Sequence, residues 1–313
     1  MTSGEGSQAG PEFPRGPRLK QAVAAFFAEM KQRLAREQGG VPTFNDNFHL
    51  YLEGELAKLP QNQPWEAGVR SVPGPHGQWL QFQLLRLQCL LARRGEGRLQ
   101  SYASRRAFMQ SQEAQAAHLP QTGSEIPHDQ ANMSQGATEC LSWRGMPLFK
   151  TAYDFSLYPM LLWELKPRTI VEIGSGTGAS ARWMADLLRG FELDCEILSL
   201  DIAKPEIEVP GVTFVQGDCH AIETALPASR LAALPHPWLA IEDAHENVVG
   251  VVRHLDRFME PGDYLMIEDS EMKTAELDTL FALPGFAFRV DSRYTDFFGR
   301  NATCAPDSIL KKV

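Results

Sequence analysis

The sequence predicts an α/β fold in its C-terminal part, a mainly parallel sheet with helices on both faces, behind an N-terminal helical region. Three observations carry that expectation. Beyond Leu141, short β-branched apolar runs alternate with helical patterns. A glycine-rich turn joins the first of these runs to the helix that follows. Before that point apolar residues recur only at three- and four-residue steps, the period of one helix face.

Residues 1–17 are rich in Gly, Pro and Ser and read as a disordered tail. The helical region follows over 18–118. Leu19, Val23, Phe26, Phe27, Met30 and Leu34 form one stripe, stopped by Gly39-Gly40. A second helix is expected over Asp46–Leu59, ahead of Pro60. A third, well buried, covers about Trp79–Ala92, bounded by Gly77 and Gly95. A fourth covers about Ser101–Ala117. The polar segment 119–140 is long for a structureless connection, so it reads as a linker or an active-site loop. The domain proper is expected over 141–313.

Within it, TIVEIG (169–174), EILSLDI (196–202), VTFVQGD (212–218), WLAIED (238–243) and DYLMIED (263–269) read as strands. Ala179–Arg189 and Asn247–Met259 read as helices. FAFRVD (286–291) and SILKKV (308–313) are expected to close the sheet as an antiparallel pair. The apolar helix faces of the N-terminal region must bury against something. A cap over the ligand cleft and a dimerisation role both satisfy that need, and a homo-oligomer is compatible with the second.

Composition excludes several classes. The chain has 313 residues, of which 43% are hydrophobic, enough for a sizeable core. A formal charge of -9 argues against nucleic acid as a partner. No run of about 18 apolar residues occurs, so no membrane span is expected. The N-terminus lacks a signal-peptide core. The five cysteines are scattered, with no CxxC pair, which fits reduced thiols in a cytoplasm.

The chemistry concentrates in VEIGSGTGAS, with Gly174, Ser175, Gly176 and Gly178 between a strand and a helix. Ligands in such sheets sit at the carboxyl ends of the strands, beside the first helix. Gly174-x-Gly176-x-x-Ala179 also matches the dinucleotide fingerprint, which keeps a nicotinamide dehydrogenase open. Glu172, two residues before the first glycine, and the mid-chain position favour S-adenosylmethionine. Asp201 ends the second strand, where an ionised carboxylate can accept both ribose hydroxyls. Asp218 follows the third strand and is placed to meet the adenine amino group. His245, just past the fourth strand beside Asp243, has the pKa class of a general base near neutrality. A helix-capping or packing histidine is the plainer alternative. Trp143, Tyr153 and Tyr158 are core aromatics or cation–π partners of a sulfonium.

Several motifs together carry a resemblance. They are LSWRG (141–145), LLWELKPRT (161–169), EIG (172–174), QGDC (216–219), DAHEN (243–247) and GDYLMIED (262–269). This series resembles the cephalosporin hydroxylase family over about residues 140–313. Despite that name, its members look like class I S-adenosylmethionine-dependent methyltransferases of antibiotic biosynthesis. The resemblance implies a Rossmann-like class I methyltransferase fold, S-adenosylmethionine as cofactor and a small-molecule substrate of secondary metabolism. It also implies a Mg2+ site made by an Asp at the end of the fourth strand and a Glu-Asp pair after the fifth. The pair matches Glu268 and Asp269. The first position falls on Glu242, which is also expected near the cofactor; it departs from Asp by one methylene, and Asp243 stands next to it.

Three uses of the cofactor follow. The first is methyl transfer to a small molecule at oxygen, with His245 and Asp243 as the catalytic pair. The second is cyclisation of S-adenosylmethionine itself, releasing methylthioadenosine and azetidine-2-carboxylate. The third is a non-catalytic, cofactor-binding accessory subunit.

Overall fold

A computed structural model of the chain describes residues 16–36, 44–94, 98–106, 124, 126, 128–136 and 141–313. Most of the expected tail lies outside these residues. So do most of the fourth expected helix, which is helical over 102–106, and much of the 119–140 segment. The chain forms two compact units that divide between Arg98 and Leu99.

Among the described residues the first unit contains four helices, α1 (Gly16–Arg36), α2 (Phe44–Ala57), α3 (Trp65–Arg70) and α4 (Gly74–Arg94). The expected stripe of α1 is its buried face: Leu19, Val23, Phe26, Phe27 and Met30 pack with Leu52, Leu56, Val69, Leu80 and Leu84. Two details differ from the sequence expectation. Helix α3 has only six residues, too few to show a period. Helix α4 starts before Gly77 because Pro75 sits in its first turn, where a missing N–H costs nothing. Gly77 is then inside the helix, where a Cβ would stand 1.9 Å from the Val72 carbonyl oxygen.

In the second unit the sheet contains β1 (Leu99–Gln100), β4 (Thr169–Ile173), β5 (Glu196–Asp201), β6 (Val212–Gln216), β7 (Trp238–Glu242), β8 (Tyr264–Ile267), β9 (Phe288–Asp291) and β10 (Ile309–Lys312). Their order is β1-β9-β10-β8-β7-β4-β5-β6. A small hairpin, β2 (Ser142–Trp143) with β3 (Met146–Pro147), precedes the domain's first long helix. Strands β4 to β8 pair in parallel. The C-terminal strand β10 inserts antiparallel between β8 and β9. This is the Rossmann-like class I methyltransferase fold. The longer helices of this unit are α5 (Asp154–Leu165), α6 (Ala179–Gly190), α7 (Val248–Asp256) and α8 (Thr274–Ala282).

Alternation along the strands divides the core into two layers. Ile170, Ile197, Leu239, Ile241 and Met266 face one layer with Leu161, Trp183 and Met184. Val171, Ile173, Leu198, Leu200, Ala240, Leu265 and Ile267 face the other with Val251, Val252 and Leu255. Period-2 side-chain direction in fully buried strands produces this split.

The division at Arg98 has a physical cause. Leu99–Gln100 adds to the sheet edge beside Asp291 and Val290. Tyr102 stacks on Phe281 at 4.3 Å between ring centroids and donates its hydroxyl to Asp278. Arg105 is buried and its guanidinium binds Asp296, Asp307 and Asn301. The start of the fourth expected helix therefore packs with the C-terminal unit.

Candidate active site

Chain order sets the place of the site. After β4 the chain builds outward through β5 and β6, then crosses back to lay β7 on the other side of β4. Loops leaving β4 and β7 diverge there, which opens a crevice at the carboxyl ends. A cleft of about 630 Å³ lies at this point. Its wall includes Gly174, Ser175, Gly176, Asp201, Asp218, Asp243, His245 and Asp269.

The glycine loop forms one side. Gly174 has φ +105°, and a Cβ on it would meet the Asp243 carbonyl carbon and oxygen at 2.6 Å. Only glycine allows that approach. The Gly174 and Ser175 amides donate to the Leu200 carbonyl at 2.8 and 3.2 Å, tying the loop to β5. Gly178 precedes α6 with φ +81°, where a Cβ would press on Ile207 and Phe214.

Asp201 ends β5 and organises the same loop. Its Oδ2 accepts the Gly176 N–H at 2.8 Å and its Oδ1 accepts that of Ala203 at 3.0 Å. Each oxygen keeps a further lone pair. Asp218 caps the short turn after β6 by accepting the His220 N–H at 2.8 Å. Glu172 is not on the cleft wall. Its buried carboxylate accepts the hydroxyls of Ser180 and Ser199, and burial raises its pKa. It holds the loop to α6 and β5 from behind.

The facing side carries titratable groups. His245 has φ +62°, and its Nε2 lies 3.6 Å from Asp243 Oδ1 and 3.4 Å from Asp269 Oδ2. The neighbouring Asp243 carboxylate raises its pKa, against the pull of partial burial. Burial opposes the charge of Asp243, but the Lys150 ammonium 2.8 Å away outweighs it and holds the group below the usual carboxylate range. Asp269 is raised by burial and by the Asp243 charge. Asp243, His245 and Asp269 each place one potential ligand atom within 4.8 Å of the others.

The other two acids of the expected metal set turn away from the cleft. Glu242 is fully buried; its Oε2 accepts from the Lys273 ammonium at 2.8 Å, and its Oε1 from the Ala244 and His245 amides at 3.2 and 3.1 Å. Glu268 is buried between Lys150 and the Tyr158 hydroxyl. Burial, then the Asp243 charge, push Glu268 well above the carboxylate range. The expected placement of Glu242 against a cofactor gives way for the same reason: its oxygens are engaged inside the protein.

The aromatics divide similarly. Tyr158 is buried against Trp183 and serves Glu268. The Trp143 indole donates to Asp186 at 2.9 Å, and Tyr153 packs on Phe298. None of the three lines the cleft. Sequence reasoning missed Lys150, Lys273, Gln135 and Phe149. Gln135, Phe149 and Lys150 are on the wall. Both lysines are at least 96% buried, and no local pattern announces that.

Among the described residues no helix is long and apolar enough to cross a membrane.

Comparison with known proteins gives three findings. Residues 135–288 match the family described as Rhamnosyl O-methyltransferase/CmcI. A Rhamnosyl O-methyltransferase of Mycobacterium leprae (strain TN) is 28% identical over 139 residues, 42% of this chain and 61% of that protein. Its counterpart in Mycobacterium tuberculosis (strain ATCC 25618 / H37Rv) is 27% identical over 154 residues, 46% of this chain and 61% of that one. The chain thus spans about three fifths of the length of these curated relatives. Among solved structures, "cmcI-D160 Mg-SAM" is 27% identical and covers 60% of this chain and 82% of its own, with a TM-score of 0.47. The similarity to the Rhamnosyl O-methyltransferase/CmcI family thus lies in residues 135–288.

Proposed function

We propose that the chain is an S-adenosylmethionine-dependent O-methyltransferase acting on a hydroxyl of a small molecule. One observation carries the reading. A single cleft has backbone-lined glycines and two strand-end aspartates on one side, and an imidazole between two carboxylates on the other. Similarity to a family that includes O-methyltransferases supports it.

The residues fit the cofactor. The bare backbone at Gly174 to Gly176 admits close approach. The remaining lone pairs of Asp201 suit two ribose hydroxyls, and Asp218 suits an exocyclic amine. When bound, S-adenosylmethionine supplies a methyl group made electrophilic by its sulfonium. His245 Nε2 would take the proton of the acceptor hydroxyl, freeing its oxygen to accept that methyl group. Asp243 and Asp269 hold the resulting imidazolium. Alignment in the cleft supplies much of the rate. The base adds about 10²–10⁴-fold.

Calorimetry with S-adenosylhomocysteine tests the binding. Replacing Asp201 by Ala is expected to weaken it by about ten- to a hundredfold, since a charged hydrogen bond contributes roughly 1.5–3 kcal/mol. Mass spectrometry tests the reaction. Incubation with S-adenosylmethionine and a panel of hydroxylated small molecules is expected to give a methylated acceptor and S-adenosylhomocysteine. His245→Asn should lower that turnover by about 10²–10⁴-fold and leave cofactor affinity unchanged. Asn tolerates the left-handed backbone at this position. Release of methylthioadenosine without any acceptor would sink the reading.

A further inference from the structure

The family resemblance implies a divalent ion on Glu242, Glu268 and Asp269, and the side chains present do not fit it. Only Asp269 of the three lines the cleft. Glu242 holds Lys273 and two backbone amides. Glu268 holds Lys150 and Tyr158. Each glutamate would have to release an ammonium before it met a metal. Magnesium also requires a near-octahedral set of oxygens.

The departures are mutually consistent. Glu242 stands where the family pattern has Asp, and its longer side chain reaches a lysine that is 4% exposed. Four carboxylates gather where β7 and β8 end: Glu242, Asp243, Glu268 and Asp269. Left bare, such a group repels itself and resists ionisation. Lys150, three residues past the β2–β3 hairpin, bonds Asp243 and Glu268; Lys273, just before α8, bonds Glu242. An ammonium is a compact charge with three donors, suited to that task.

The geometry points to Lys150 and Lys273 as the resident cations of this acidic site, so that the proposed methyl transfer runs without a divalent metal ion. The inference rests on that proposed function for the reaction, while its claim about metal concerns the protein alone. The outer group suits magnesium no better. An ion at Asp243, His245 and Asp269 would meet an imidazole nitrogen and share Asp243 with Lys150.

The test uses the purified chain, stripped with EDTA and desalted. Mn2+ is added and the free-ion signal is read by electron paramagnetic resonance. S-adenosylhomocysteine affinity is then measured by calorimetry in millimolar Mg2+ and in EDTA. The expected result is a signal that tracks the free ion and an affinity that is the same in both buffers. Stoichiometric Mn2+ on the protein, or an affinity about tenfold or more tighter with Mg2+, would overturn the inference. The Mn2+ measurement needs no cofactor. Failure of S-adenosylhomocysteine to bind would therefore strike the proposed function and leave the metal result standing on its own.

Discussion

Replacing Lys150 by Met lowers the stability of the C-terminal unit by about 3–5 kcal/mol, the cost of removing one partner from a buried ion pair. The ammonium is almost wholly buried and bonds two carboxylates that have little access to water. Methionine matches the length of the stem but carries no charge. Asp243 and Glu268 then face each other uncompensated, and one of them takes up a proton. The sign of the pH dependence follows. Burial and the Asp243 charge already raise Glu268 in the folded protein. Without Lys150 that folded pKa stands further above its unfolded value. A group raised in this way favours folding below its unfolded pKa, and the advantage fades as pH rises through the folded one. The deficit of the variant is therefore smallest at acid pH and grows toward neutrality. Urea unfolding followed by near-ultraviolet circular dichroism, which reports on buried Trp183 and Trp238, checks both statements. Equal midpoints for variant and parent at neutral pH would mean that the ion pair is not formed in solution.

Gly174→Ala is expected to weaken S-adenosylhomocysteine binding by about a hundredfold or more, equivalent to roughly 3 kcal/mol. The added carbon would sit 2.6 Å from the Asp243 carbonyl and 2.9 Å from the Ala244 amide. These are backbone atoms of the segment that carries His245, and they cannot swing aside as a side chain can. Either the loop lifts from β7 or the Asp243–His245 turn moves out. Both distort the cleft wall. The φ of +105° adds strain of about 1–3 kcal/mol to a non-glycine residue. Gly285→Ala separates the two causes. That glycine has φ +85°, with nothing within 4 Å of the place a Cβ would take, and it is not on the cleft wall. It should lose stability from strain and keep its affinity. Loss of binding in both variants would show that general destabilisation, not the contact at Asp243, is responsible.

The parts of the fold that could be read in advance are those with a local period. The stripe of α1 and the strands β4 to β8 were readable because a helix face repeats every three to four residues and a buried strand is a short apolar run. Asp201, Asp218, Asp243 and His245 were readable because each ends or follows a strand in a parallel sheet, where the ligand crevice opens. Lys150 lies in Phe149-Lys150-Thr151 and Lys273 in Met272-Lys273-Thr274. A lone lysine in such surroundings looks like any solvated one. Its pairing partner is 93 or 118 residues away for Lys150 and 31 away for Lys273. The direction of Glu172, Glu242 and Glu268 was equally hidden, since a carboxylate at a strand end can face the cleft or the interior.

By itself, then, the sequence determined the alternation of strands and helices, the glycine turn at the end of β4 and the acids spaced along successive strand ends. Those features depend on near neighbours in the chain and on side-chain period. Only the tertiary structure decided that residues 99–106 pack with the C-terminal unit, that β10 slips between β8 and β9, and which carboxylates face the cleft. Those outcomes depend on contacts between distant segments, where the cost of burying a charge selects the partner that each acid must have.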